Sequence, residues 1–180
     1  PLAFTAMVAA IAWWLHRSWG LVIFSVVALL VIANLGYWVE MIETLVLVLM
    51  ATFLSIVIGI PIGIVAAHHP RFHAGIRPIM DLMQTIPTFV YLIPTLILFG
   101  LGVVPGLIST IIFAIAAPIR LTALVISSVP EELLEAGKAF GASKRNLLLK
   151  VELPAAMPSI MAGVTQCIML SLSMVVIAAL

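Results

Sequence analysis

The chain has 180 residues, of which 64% are hydrophobic and 8% charged, with a formal net charge of +1 and a mean hydropathy of +1.34. Soluble domains carry ~45–50% apolar and ~25% charged residues, so this composition excludes a soluble globular domain and points to a membrane protein. The eight Lys and Arg are not gathered on one amphipathic face, which excludes nucleic acid as a partner.

A hydrocarbon core of ~30 Å is crossed by ~20 apolar helical residues. That ruler divides the chain into six predicted spans, 1–15, 20–35, 39–67, 79–102, 106–128 and 155–180, an all-α polytopic bundle. Span one lacks a basic leader and is followed at once by another span, which argues against a signal peptide. Both ends lie in apolar sequence, so the chain is expected to be a fragment lacking at least one C-terminal helix. The single cysteine, Cys167, lies in an apolar run and reads as packing.

Positive charge sets the orientation. Arg17 follows span one, Arg71 and Arg77 follow span three, and Lys138, Lys144, Arg145 and Lys150 follow span five, while "GYWVE" and "GVVPG" hold no Lys or Arg. The basic connections are therefore cytoplasmic and residue 1 lies toward the outside. Trp13, Trp14 and Trp19 mark the inner boundary and Tyr37 and Trp38 the outer one, the ordinary place of interfacial aromatics; a cation-binding cage is the sharper alternative.

Span three contains "GIPIG", with Gly59 and Gly63 as a small-xxx-small pair around Pro61, and span four contains Pro87 and Pro94, seven residues apart on nearly one helical face. Such interruptions are tolerated where neighbours or a water-lined cavity satisfy the freed carbonyls, which favours a transporter or channel over a plain anchor. Ordinary kinked packing is the competing reading for each proline. Arg120 lies about 12 Å deep in span five and is expected to face protein or water, either in a permeation path or on a structural partner such as Asp81 or a helix-end carbonyl. Asp81 reads as solvated or as facing a helix N-terminus. Pro87, Pro94 and Arg120, with Ser171 and Ser173 of span six, are the candidate translocation path.

Between spans five and six, "VPEELLEAGKAF" opens with Pro130, carries Glu131 and Glu132 at the positive helix end, and reaches Gly141, where a left-handed cap can close the helix. Ser143 can cap a second helix, "KRNLLLKVEL", which Pro154 is expected to end. Leu133, Ala136 and Phe140 form an apolar stripe, and Ala136, Gly137 and Ala139 are small enough for close approach by another surface. The stripe suits a docking partner or, alternatively, the bilayer surface.

This stretch resembles the EAA loop of ABC importer permeases: Glu135-Ala136-Gly137, then Gly141 at the family interval, then Val151-Glu152-Leu153-Pro154. Gly137 stands for the third alanine and Val151 for isoleucine. "DLMQTIPTFVYLIPTLILFGLGVVPG", "IIFAIAAPIRLT" and "AAMPSIMAGVTQCIMLSLSMVVIA" are similar to permeases of the glycine betaine/proline class, with residues 39–180 covering a truncated type I permease core and 1–38 resembling the two extra N-terminal transmembrane helices outside it. The resemblance implies a bacterial or archaeal cytoplasmic-membrane permease for glycine betaine, proline betaine, choline or a related methylamine. Its implied partners are a separate ABC ATPase using ATP and Mg, a second permease copy and an extracytoplasmic binding protein. It makes residues 130–154 a coupling loop, with Glu135, Ala136, Gly137, Ala139, Phe140, Gly141, Leu153 and Pro154 as ATPase-coupling residues, and implies no cofactor or metal on this chain. An amino-acid or phosphonate importer, or a non-transporting scaffold, is the alternative.

Enzymatic readings fare poorly. No G-x-x-x-x-G-K-[ST] is present, and "GLGVVPG" misses the dinucleotide spacing and reads as turn geometry. His68, His69 and His73 fall in "HHPRFH", where i, i+4 spacing would suit a metal on a helix, but Pro70 argues for a solvated loop. A protease within the bilayer would need a Ser–His pair or two aspartates there, and Asp81 is the sole Asp.

Overall fold

The computed structural model describes residues 1–178, which fold into helices joined by short turns. The chain forms two units, Pro1–Val46 and Leu47–Leu180, the boundary falling inside a helix.

In the first unit, α1 (Leu2–His16) and α2 (Trp19–Asn34) pack together as a hairpin. Arg17 turns the chain with a left-handed backbone, φ 46°, and its N–H donates to the Trp13 carbonyl at 2.9 Å. The Trp13 and Trp19 rings meet across the turn at 4.3 Å. The helices contain 15 and 16 residues, about 22 and 24 Å at ~1.5 Å per residue, short of a ~30 Å core. The first two of the six predicted spans thus form helices below full crossing length.

The third predicted span is α3 (Trp38–His68), 31 residues, which runs through Pro61 without ending. The fourth is broken. Pro87 cannot donate to the ladder and drives Ile86 into extended backbone, ψ 131°, so α4 (Pro70–Thr85) and α5 (Phe89–Phe99) meet at 92°. Pro87 lies in the break and Pro94 inside α5, so the two prolines do not share one helical face as expected. The fifth span is α6 (Val103–Ala114) and α7 (Ala116–Ser127), interrupted at Ile115, close before the ring of Pro118. Then come α8 (Glu131–Ala139), α9 (Lys144–Leu147), a π-helical turn (Leu148–Glu152) and α10 (Leu153–Ala178).

Three stretches are long and apolar enough to cross a bilayer, Trp38–His68, Val103–Ser127 and Lys144–Ala178, and the bent pair α4–α5 raises the number to four if it is one span. Two expectations are corrected here. Pro70 takes the first position of α4, where a missing N–H costs nothing, so His73, Arg71 and Arg77 stand on a helix rather than in a loop. Nor does Pro154 end a helix. The π turn widens the ladder just before it, with Leu153 N–H donating to the Leu148 carbonyl, and the helix continues into α10.

The core of the second unit is narrow and built on small residues. A Cβ on Gly59 would lie 2.8 Å from Pro118 Cγ, and one on Gly63 would lie 2.7 Å from both the Ile119 carbonyl oxygen and Thr122 Cβ. The "GIPIG" stretch is therefore the face on which α3 touches α7, and packing accounts for it. Toward the end that carries the basic connections, Ile126, Ala156 and Ile160 form a buried cluster covered by Ile60, Ile64, Ala67 and Leu153.

Candidate coupling segment and membrane path

Helix α8 is fixed at both ends by local chemistry. Pro130 precedes it, Glu131 and Glu132 sit in its first turn beside the positive end, and Lys138 sits in its last. At the far end Gly141 takes φ +75°, its N–H donating to the Lys138 carbonyl at 2.9 Å, while Ala142 N–H reaches the Gly137 carbonyl at 3.1 Å. Those two bonds are a Schellman close, which favours glycine at that position. Ser143 caps the next helix, accepting from Asn146 N–H at 3.3 Å.

On this short helix and its C-terminal turn Glu135, Ala136, Ala139, Leu133 and Phe140 are exposed, Phe140 at 93%. Gly137 behaves differently. A Cβ there would meet Leu147 Cδ1 at 2.6 Å and Val151 Cγ2 at 3.4 Å, so Gly137 faces the chain's own α9 and π turn. Leu153 also turns inward, onto the Ile126 cluster, whereas Pro154 is exposed. The coupling candidates thus divide into an outward set and an inward set that holds the segment against the bundle.

A cavity of about 650 Å³ lies behind α8, lined by His68, His69, Lys138, Lys144, Arg145 and Glu152 among others. The connections after spans three and five therefore meet at one end of this unit, the end that carries the basic residues. Glu152 is 6% exposed, and its Oε2 lies 2.9 Å from His68 Nε2, an ion-pair distance off the hydrogen-bond line. Sequence reasoning treats Glu152 as a filler position in the loop pattern and misses this pair.

Of the path candidates, Arg120 finds Asp81: one guanidinium nitrogen pairs with the carboxylate, and the other donates to Gln84 Oε1 at 2.6 Å. Asp81 lies in the second half of α4, away from the helix N-terminus considered for it. The fork ties α7 to α4 beside a cavity of about 430 Å³ that His73 and Arg77 also line. Both partners are more than a third exposed, so the pair contributes ~0–1 kcal/mol. At Pro87 the lost N–H orphans the carbonyl four residues back, that of Met83, and Tyr91 Oη donates to it at 2.9 Å. Ser171 and Ser173 separate: Ser171 is fully buried beside the Cys167 thiol, whereas Ser173 is exposed and donates to the Met169 carbonyl at 2.9 Å. Cys167 is buried, in agreement with its packing role. Gly100 and Gly102 take positive φ in the turn before α6, the turn geometry expected of that cluster. No group of three metal-ligating side chains occurs among the described residues.

The family described as "Binding-protein-dependent transport system inner membrane component" matches residues 59–180. The chain is 48% identical to the glycine betaine transport system permease protein OpuAB of Bacillus subtilis (strain 168), over 98% of this chain and 62% of the relative. It is 50% identical to the glycine betaine/proline betaine transport system permease protein ProW of Escherichia coli (strain K12), over 100% of this chain and 51% of the relative. With the glycine betaine/carnitine transport permease protein GbuB of Listeria monocytogenes serotype 1/2a (strain 10403S) it shares 45% identity, over 100% of this chain and 65% of the relative. The chain thus spans between about half and two thirds of the length of these curated relatives. Its fold is similar to that of the MetNI methionine ABC transporter in inward-facing conformations, with a TM-score of 0.65, 22% identity, and coverage of 73% of this chain and 68% of that one. The apolar helices, the basic end and these similarities lead to one conclusion: the chain is an integral membrane protein and belongs to the binding-protein-dependent transport system inner membrane component family.

Proposed function

We propose that the chain is the permease part of an ATP-driven importer for a methylated, zwitterionic solute of the glycine betaine and proline betaine kind, in a bacterial cytoplasmic membrane. Identity of 45–50% to permeases whose names carry those solutes supports the substrate class. In this reading residues 39–180 carry the permease core and residues 1–38 lie outside it. An extracytoplasmic binding protein delivers solute, and two permease copies enclose the path. ATP and Mg are bound by a partner ATPase, and this chain holds no cofactor or metal.

The observation that carries the reading is α8. A nine-residue helix, closed at both ends by its own sequence, presents Leu133, Ala136 and the adjoining Phe140 outward at the basic end of the bundle. An apolar stripe on so short a helix is what a groove in another subunit buries. Gly141 and Ser143 set the angle between α8 and α9. Gly137, Leu147 and Val151 fasten the segment to the long helix that becomes α10, so force on α8 reaches the span directly.

The test is transport by the full-length permease reconstituted in vesicles with its ATPase and binding protein. Expected is ATP-dependent uptake of labelled glycine betaine, displaced by proline betaine. Uptake of an amino acid with no effect of betaines would overturn the substrate class, and ATP-independent flux would overturn the coupling.

A further inference from the structure

Glu152 is the one acidic residue buried among the described residues, and it stands in a π turn, a geometry that recurs at functional sites. A buried carboxylate without a partner is costly. Its partner is the last residue of α3. His68 Nδ1 lies 2.8 Å from the Ile64 carbonyl oxygen, which can only accept, so Nδ1 carries a proton. Nε2 then lies 2.9 Å from Glu152 Oε2, off the hydrogen-bond line but within ion-pair reach. The ring is thus anchored on its own helix through Nδ1 while Nε2 meets the buried carboxylate at ion-pair distance.

The other groups lining the cavity that can carry charge are His69, Lys138, Lys144 and Arg145, all cationic or neutral. Glu152 is the sole acid there, and His68 is its only ion-pair partner among the described residues. The pair sits at the end of a seam already closed by Ile64, Ala67 and Leu153. It therefore joins the cytoplasmic end of α3 to the turn on which α8 rests.

From this we infer that His68 and Glu152 are positioning residues: they form a latch that stays closed through the transport cycle and makes α3 and the coupling segment move as one body. The latch rests on the transport reading above. Without it, movement of α8 is absorbed by the π turn instead of reaching α3.

The experiment uses the full-length permease with its ATPase and binding protein in vesicles. Glu152→Gln and His68→Gln are each expected to raise the ATP hydrolysed per solute imported by about fivefold, the upper end for an ion pair with one partly exposed partner. In a Cys167→Ala background, His68→Cys with Glu152→Cys should behave likewise until a short bifunctional thiol reagent joins the two cysteines, which restores the wild-type ratio. An unchanged ratio in the single variants, or a cross-link that stops uptake, overturns the latch. Amide hydrogen exchange supplies a readout independent of transport: in His68→Gln, residues 64–68 and 148–152 should exchange about fivefold faster together. Unchanged exchange overturns the latch even if transport is lost. Absence of ATP-coupled uptake in the wild type would instead sink the transport reading, leaving exchange to decide the latch.

Discussion

The same substitution, glycine to alanine, should have opposite consequences at Gly63 and Gly137. Alanine in a helix interior gains ~0.5–1 kcal/mol over glycine from backbone entropy alone. At Gly63 the new Cβ would stand 2.7 Å from the Ile119 carbonyl oxygen and 2.7 Å from Thr122 Cβ. Both belong to the buried face of α7, and neither can rotate aside. Overpacking of that kind costs ~1–3 kcal/mol, so Gly63→Ala should be net destabilising by about 0.5–2 kcal/mol. At Gly137 the close atom is Leu147 Cδ1, 2.6 Å away, at the end of a rotatable side chain. Moving it off its rotamer costs ~0.5–1.5 kcal/mol, which cancels the entropic gain and leaves Gly137→Ala near neutral. Titration of the purified full-length permease with denaturing detergent, followed by circular dichroism, reads both. Equal destabilisation at the two sites, or none at Gly63, would refute the close α3–α7 contact.

Arg120→Ala should lower stability by less than about 1 kcal/mol, because its pairing with Asp81 is half open to solvent, and should reduce transport more than membrane abundance; western blots beside uptake assays check this, and loss of abundance alone would make Arg120 structural. Ser171→Ala removes a buried hydroxyl whose neighbour is the Cys167 thiol, a weak partner, so the variant should stay within about 1 kcal/mol of the parent in stability. Unchanged uptake would then remove Ser171 from the path. Gly141→Pro and Glu135→Lys should leave insertion intact while hydrolysis continues without uptake. Normal uptake by both would count against residues 131–141 as the coupling helix.

Local punctuation is legible in the sequence because its causes are local. Pro130, Gly141 and Ser143 act on their own backbone, and the ends of α8 and the start of α9 fall where those residues put them. Composition and the basic connections likewise locate the apolar stretches and the end at which those connections meet. Proline effects are harder to read, since they depend on what receives the orphaned carbonyl. Pro87 breaks a span because Tyr91 can satisfy Met83, while Pro154 passes because the preceding turn widens. Long-range pairs leave no periodic trace at all. His68 and Glu152 are 84 positions apart, from the difference of their numbers, and nothing in either neighbourhood announces the other. Gly137 reads as room for a partner, yet its neighbour is Leu147 of the same chain.

What covers α8 decides whether this chain is driven by an ATPase. Phe140→Cys, in full-length permease carrying Cys167→Ala, should cross-link to the ATPase subunit in the assembled transporter and be shielded from aqueous thiol reagents only when that subunit is present. Labelling of position 140 from within the lipid phase, or equal aqueous reactivity with and without the ATPase, would contradict that coupling.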